Sequence, residues 1–149
     1  MADHFSRLDI EKQVAPGQPG VAVTVQKSRI HGQGVFAREA IPRRMRIGHV
    51  TGRLVRLPRA RLAVERNARI YLVEIDDRTA LDCSAGNAFR YLNHSCRPTC
   101  YLRIWNRRVE VYARAAIPAG TELTVDYGHT PHRGGMPCSC GNKNCRKRL

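Results

Sequence analysis

The amino-acid sequence predicts a mostly β protein with several small sheets and little helix. About seven short segments alternate apolar and polar residues or are rich in β-branched residues, which is typical of strands. Glycine, proline and asparagine separate these segments at short intervals and indicate turns. A single segment has the Ala, Arg, Leu and Glu content of a helix, so the pattern argues against an alternating βαβ nucleotide-binding sheet.

The first half of the chain begins with a Pro/Gly-rich break at residues 15–20. Because these residues interrupt regular structure, residues 1–20 are expected to form a leader outside the core. A polar turn is predicted at residues 27–34, and a helix at residues 58–69 with Pro58 near its start. Strands are predicted at residues 21–26, 35–37, 46–57 and 70–75.

The second half is predicted to contain a hairpin and a final short strand. The hairpin arms are residues 101–105 and 107–113, on either side of Asn106. In the second arm Val109 and Val111 alternate with polar neighbours, as in a half-buried strand. The final strand is predicted at residues 123–126, after a Pro-Ala-Gly turn.

The length of 149 residues is typical of one domain that can bury its own core. No apolar run approaches the 18 or so residues of a membrane span, so no membrane partner is expected. The N-terminal residues lack the apolar stretch of a secretory signal. We therefore expect an intracellular location, in cytoplasm, nucleoid or nucleus, and the sequence leaves open export by a non-classical route.

The charge balance is strongly basic. The sequence has 26 Lys and Arg residues and 12 Asp and Glu residues, which gives a formal net charge of +14. The predominance of arginine has two explanations, a GC-rich genome or an anionic partner such as nucleic acid or an acidic protein. Because the basic residues are spread along the chain, their positions alone define no binding face.

The six cysteines are unevenly placed, and three of them lie within the last twelve residues. Nothing indicates the secreted context in which a disulfide framework would be expected. Cys138, Cys140 and Cys145 supply three thiolates at close spacing. Tetrahedral zinc takes four ligands, so a fourth would have to come from elsewhere in the fold.

Four segments occur together in one order: SRIHGQGVFA at 28–37, GNAFRYLNHSCRP at 86–98, IPAGTELTVDY at 117–127 and CSCGNKNCR at 138–146. Alone, the Gly-Gln-Gly step in the first segment is explained equally well by a tight turn. Together, the four segments resemble the SET-domain protein-lysine methyltransferases with a C-terminal post-SET zinc motif, most closely the trithorax type. The resemblance covers residues 21–149.

This resemblance implies a SET fold of several small sheets with a knot-like C-terminal arrangement. It divides the chain into a SET domain at residues 21–128 and a post-SET zinc-binding segment at residues 129–149. It also implies S-adenosylmethionine as cofactor, and glycines would permit its close approach to the backbone. The implied cofactor-binding residues are His31, Gly32, Gln33, Gly34, Tyr71, Arg90, Tyr91, Asn93 and His94.

Tyr127 matches the family's catalytic tyrosine. A lysine amine has an ordinary pKa of about 10.4, so its neutral form costs roughly 4.6 kcal/mol at pH 7. A neighbouring sulfonium and an apolar channel would both lower that cost. Because a tyrosine of pKa about 10 is a poor base at pH 7, we assign Tyr127 to orienting the amine.

Two positions of the implied substrate channel depart from the family pattern. Val125 replaces an aromatic residue whose size limits the number of methyl groups added, so di- or trimethylation capacity is expected. Val50 stands where the family often has a tyrosine, which removes a hydroxyl from the channel. For zinc, the resemblance supplies Cys96 as the fourth ligand beside Cys138, Cys140 and Cys145, and four thiolates make a closed structural site.

The implied function is methyl transfer to the ε-amine of lysine in a protein substrate, with histones or histone-like nucleoid proteins as candidates. The first alternative is a catalytically degenerate SET module that binds a partner or nucleic acid, which Val50 and Val125 suggest. The second is a basic, zinc-containing nucleic-acid binder, which explains the charge but not the Asn-His-Ser-Cys and Asp-Tyr motifs. The net charge favours a substrate on nucleic acid or one flanked by acidic residues.

Overall fold

A computed structural model describes residues 21–65, 71–128, 130 and 133–149, so the leader predicted at residues 1–20 lies outside the described residues. The described part of the chain forms ten strands, one helix and one 3-10 turn. In chain order these are β1 Val23–Lys27, β2 Gln33–Ala37, β3 Arg46–Val50, β4 Arg53–Arg56, α1 Leu57–Glu65, β5 Leu72–Glu74, β6 Thr79–Asp82, the 3-10 turn Ala88–Tyr91, β7 Asn93–His94, β8 Cys100–Trp105, β9 Arg108–Ala113 and β10 Glu122–Val125.

The strands form three small sheets, with the orders β1-β2-β10-β7, β3-β9-β8 and β4-β6-β5. Their inward faces meet in one apolar core, in which Val35, Ile47, Val109 and Leu123 are almost fully buried. β-branched and other aliphatic residues suit these pleated, half-buried surfaces. The prediction of a mostly β protein with several small sheets is therefore confirmed.

The C-terminal strand β10 lies between two earlier strands. It pairs antiparallel with β2 and parallel with β7, so that Thr124 is opposite Asn93 and Val125 is opposite His94. This insertion brings the first, second and third sequence segments together in the first sheet. The position of β10 is the structural basis of the candidate site.

The prediction of one strand at residues 46–57 is wrong, because the segment forms two strands that belong to different sheets. β3 pairs with β9, whereas β4 pairs with β6. The chain turns at Thr51 and Gly52, where Thr51 Oγ1 accepts a hydrogen bond from the backbone N–H of Asn87 at 2.8 Å. A side chain at Gly52 would collide with the carbonyl of Asp82, so the corner requires glycine.

Other boundaries differ by a few residues. The helix predicted at 58–69 is described to residue 65, and residues 66–70 lie outside the described part. In the hairpin, Asn106 and Arg107 both have positive φ angles, 48° and 60°, as a two-residue turn requires, so the second arm starts one residue late. The strands β6 and β7 were not expected from the sequence.

The packing around Gly86 predicts that a larger residue at this position destabilises the protein. A Cβ atom at this position would overlap the backbone carbonyl of Thr51, which cannot move as a flexible side chain could. We expect Gly86→Ala to lower the free energy of unfolding by about 1–3 kcal/mol through overpacking. Chemical denaturation measures this change, with Ala85→Ser at the exposed neighbouring position as control. Equal stability of the two variants would contradict the described packing.

Candidate active site and cysteine cluster

Two cavities meet at the edge of the first sheet. The first is lined by eight of the nine sequence-predicted cofactor residues, by Tyr127 and by the C-terminal segment. The second cavity adjoins the first and shares Tyr71, Arg90, Leu92 and Tyr127 with it. The predicted residues on the wall of the first cavity are His31, Gly32, Gln33, Tyr71, Arg90, Tyr91, Asn93 and His94.

The buried side chain of Asn93 fixes the loop at residues 28–34. Its Nδ2 donates to the carbonyl oxygens of His31 and Gln33, at 3.0 and 2.9 Å, and to Glu122 Oε1 at 2.9 Å. The hydroxyl of Ser28 donates to the same carboxylate at 2.8 Å. Because these bonds join residues far apart in sequence, they hold the loop against β10 and shape one wall of the first cavity.

Gly34, the ninth predicted cofactor residue, lies outside the lining of this cavity. A Cβ atom there would overlap the carboxylate of Glu122. The absence of a side chain at Gly34 therefore leaves room for Glu122 to reach Asn93. The cofactor role predicted for Gly34 stays a prediction.

Aromatic and cationic side chains form another part of the wall of the first cavity. The rings of Tyr71 and Tyr91 meet edge to face, with centroids 6.4 Å apart. The guanidinium of Arg90 lies over the Tyr91 ring, 4.6 Å from its centroid, and donates to the Tyr91 hydroxyl at 2.6 Å. Arg90 also donates to the carbonyl of Gly86 at 3.1 Å. The side chain of Arg90 is therefore held by groups of the protein itself.

The imidazole of His94 connects Tyr127 to the cysteines. The backbone N–H of Tyr127 donates to Nδ1 at 3.0 Å, so the proton of the neutral ring lies on Nε2. Nε2 is 3.3 Å from Cys96 Sγ. Burial lowers the pKa of His94, although the nearby Asp126 carboxylate opposes this effect, and the ring is neutral near pH 7.

The hydroxyl of Tyr127 donates to the carbonyl oxygen of Leu92 at 2.5 Å. Burial, followed by the neighbouring Tyr71 and Glu122, raises the pKa of Tyr127 far above its ordinary value. The phenol is therefore protonated at every physiological pH, and it cannot serve as a general base. It can donate a hydrogen bond and define a fixed edge between the two cavities.

The second cavity is mainly apolar. Val50 and Val125, the two predicted channel residues, both line it, together with Cys83, Phe89 and Leu102. Neither valine is aromatic, so the channel is wider at both positions than an aromatic side chain would leave it. Low polarity disfavours the charged form of an amine.

Two acids at the rim of the second cavity are engaged in ion pairs. Glu74 accepts two hydrogen bonds from Arg61, at 2.7 and 2.9 Å. Asp126 accepts two from Arg146, at 2.6 and 3.1 Å, and these bonds hold the pKa of its carboxyl below the ordinary value. The ion pairs partly neutralise both carboxylates.

The four predicted zinc ligands come together. The Sγ atoms of Cys96, Cys138, Cys140 and Cys145 all lie within 4.8 Å of one another. Zinc–sulfur bonds of about 2.3 Å in a tetrahedron place sulfurs about 3.8 Å apart, and Cys96 Sγ is 3.8 Å from Cys138 Sγ. Backbone N–H groups of Arg146 and Lys147 approach two of the sulfurs at 3.3 Å. This donor set fits a structural zinc ion.

The cluster docks the C-terminal segment against the first cavity. Asn142 donates to the hydroxyl of Ser95 at 2.8 Å, and Arg146 pairs with Asp126 as described. Within the segment, Pro137 and Arg148 form an antiparallel bridge. The segment contributes Met136, Pro137, Cys138, Ser139 and Leu149 to the cavity wall.

Three participants were missed by reasoning from the sequence. Glu122 and Ser28 support the loop at residues 28–34, and the carbonyl of Leu92 accepts a hydrogen bond from the Tyr127 hydroxyl. An acid at the start of the apolar strand β10 was a usable signal for Glu122, because a partly buried carboxylate needs partners. A backbone carbonyl carries no signal in a sequence.

Cys83 and Cys100 lie outside the cysteine cluster and are buried in the core. Burial raises the pKa of their thiols to about 12 and about 11, respectively. They are therefore unreactive thiols at neutral pH. Among the described residues, no helix is both long and apolar enough to cross a membrane.

Comparison with known proteins gives a consistent result. The SET domain family profile matches residues 32–128. Histone-lysine N-methyltransferase trithorax of Drosophila virilis is 35% identical over 136 residues, covering 85% of this chain and 4% of that protein. Histone-lysine N-methyltransferase 2B of Homo sapiens is 32% identical over 139 residues, covering 86% and 5%.

A solved structure shows the same fold. A crystal structure of KRYPTONITE in complex with mCHH DNA, an H3(1-15) peptide and SAH has a TM-score of 0.74 and 28% identity, covering 89% of this chain and 30% of that one. This chain thus spans a small fraction of the length of its curated relatives. The resemblance seen in the four sequence segments is confirmed, and the chain belongs to the SET domain family.

Proposed function

We propose that the protein is an S-adenosylmethionine-dependent protein-lysine methyltransferase. The observation that carries this proposal is the meeting of two cavities at Tyr127, one lined by the family's cofactor motif and the other more strongly apolar. A methyl donor and an amine acceptor bound in two adjoining cavities that share Tyr127 can be aligned for direct transfer. Such alignment supplies a large part of the rate enhancement in a two-substrate reaction.

In the first cavity, the backbone at residues 31–33 and the Asn93–His94 pair would hold the cofactor, with Tyr71 and Tyr91 opposite. When bound, S-adenosylmethionine supplies an electrophilic methyl group on a sulfonium. The internal hydrogen bonds of Asn93 leave its side chain little freedom. We therefore assign Asn93 to shaping the pocket and not to direct side-chain recognition.

In the second cavity, Val50, Val125 and Leu102 would surround the aliphatic part of the lysine. The apolar walls favour the neutral amine, which is the nucleophilic form. Tyr127 keeps its proton, so it orients groups at the junction and the amine proton leaves to solvent. The two valines leave room for a methylated amine to rebind, which supports di- or trimethylation.

For the substrate, we propose a basic protein associated with nucleic acid, a histone or a histone-like nucleoid protein. The names of the relatives point to histones, some of them specifically to H3 lysine 4, and the KRYPTONITE crystal holds an H3 peptide and DNA. The formal net charge of +14 supports a nucleic-acid context. Such a substrate implies an intracellular location, in the nucleus or nucleoid.

We propose that one zinc ion is held by the four clustered cysteines. Their sulfurs all lie within 4.8 Å of one another, the Cys96–Cys138 pair at the 3.8 Å of a tetrahedral site, and four thiolates leave no open position for chemistry. The role of the ion is structural. It fastens the C-terminal segment that completes the wall of the first cavity.

A transfer assay tests the proposed function. Purified protein with methyl-labelled S-adenosylmethionine and histone or nucleoid proteins should produce labelled lysine, detected by mass spectrometry, with di- or trimethylated forms present. Val125→Tyr should shift the product toward monomethyl-lysine, because the larger side chain fills the channel. Cofactor binding without transfer to any protein would favour the degenerate SET module instead, and strict monomethylation by the wild type would contradict the proposed role of Val125.

A further inference from the structure

A third cavity opens beside the site, between α1 and the sheet formed by β4, β6 and β5. Three guanidinium groups line it, those of Arg53, Arg56 and Arg59. It shares Tyr71 and Leu72 with the second cavity. An extended polypeptide advances about 3.3–3.6 Å per residue, so a chain with its lysine in the second cavity places nearby residues at the third.

The charge of this cavity is not balanced by the described residues that line it. Asp82 is the one acid among them, and its carboxylate already accepts a hydrogen bond from the hydroxyl of Ser84 at 2.6 Å. Asp82 Oδ2 lies 3.8 Å from Arg53 Nη2, whose side chain is 81% exposed. Within the described part of the chain, Arg56 and Arg59 form no ion pair.

The lining of the cavity suits a carboxylate side chain. Beside the three arginines it includes the small apolar side chains of Val55, Ala60 and Ala63. A guanidinium pairs with a carboxylate through two parallel hydrogen bonds, and such pairs are among the stronger ones in proteins.

We infer that this cavity binds an Asp or Glu side chain of the substrate polypeptide, near the target lysine. The inference rests on the proposed function, because it uses the second cavity as the lysine channel. It adds a requirement for substrate specificity, an acidic residue near the target lysine. A basic histone tail does not necessarily contain such a residue. Arg56 and Arg59 are the residues that set this preference.

A peptide panel tests the inference. Each peptide carries one lysine and a single Glu at one of several flanking positions, and its matched partner carries Gln. For the best position we expect kcat/KM to be about tenfold higher with Glu than with Gln, from one charged hydrogen-bonded pair. The ratio should fall close to one in Arg56→Gln/Arg59→Gln and should persist in Arg43→Gln, which replaces an exposed arginine elsewhere.

Peptide affinity, measured by fluorescence anisotropy, gives the same comparison without turnover. Equal affinity and equal rates for Glu and Gln peptides at every position would overturn the inference and leave the methyltransferase proposal intact. A Glu preference in binding without transfer to any protein would support the inference and overturn the proposed activity. Competition by a DNA duplex that is lost in the double variant would assign the cavity to phosphate and overturn the inference.

Discussion

Replacing Tyr127 by phenylalanine is expected to slow methyl transfer by about 100-fold or more. The change removes the hydroxyl that donates to Leu92 and leaves the aromatic ring in place. Loss of that bond frees the ring to move at the junction of the two cavities, and a misplacement of about 1 Å can reduce a rate by about 100-fold. Single-turnover transfer of labelled methyl groups measures the chemical step directly.

The affinity for S-adenosylmethionine should change much less, since Tyr127 is one of many residues on the wall of the first cavity. Tyr101→Phe is a matched control, because Tyr101 stacks on Tyr112 on the sheet of β8 and β9 and lines none of the described cavities. The control should keep wild-type rates. Transfer by Tyr127→Phe within a few-fold of wild type would show that the hydroxyl has no role in orienting the reactants.

Removal of zinc is the second change with a large expected effect. A strong chelator, or Cys140→Ser, should reduce the metal content from one zinc per chain to none and abolish methyl transfer. Structural zinc contributes about 10–16 kcal/mol of binding free energy in small zinc sites. The other anchors of the C-terminal segment are weaker. The Arg146–Asp126 pair, for example, is more than 40% exposed on both sides, and exposed pairs contribute about 0–1 kcal/mol.

Metal analysis and hydrogen exchange measure the two consequences separately. In the metal-free protein, the backbone amides of residues 134–149 should lose their protection against hydrogen exchange. The amides of the sheet formed by β3, β9 and β8 should stay protected. Cys100→Ala is the control, because Cys100 is buried in the core and lies outside the cysteine cluster. It should lose some stability but keep its zinc. Full activity of a metal-free protein would refute the structural role of the ion.

The sequence predicted those strands whose patterns are long enough to be periodic. The hairpin of β8 and β9 has six residues in each arm and a turn that needs positive φ angles, which Asn106 can adopt. β7, by contrast, has two residues and exists because it pairs with β10. Such a strand has no period, so tertiary pairing decides its structure.

The same contrast applies to the site. Motif spacing led to Asn93, His94 and Tyr127, which the structure places on one cavity wall. It did not show that the Asn93 side chain is bonded to the loop at 28–34 through contacts that also require Glu122. A motif names the residue types, whereas the partners depend on how distant segments pack.

The position of β10 between β2 and β7 has a consequence for how the protein acquires its site. Ser28 and Glu122 hydrogen-bond across 94 positions of the chain, and Asn93 reaches back 62 positions to His31. Closing such long loops costs entropy before any contact stabilises the fold, and proteins rich in distant contacts fold slowly. In a chain still emerging from the ribosome, the contacts of Ser28 and Asn93 with Glu122 that shape the first cavity therefore cannot form until β10 has been synthesised.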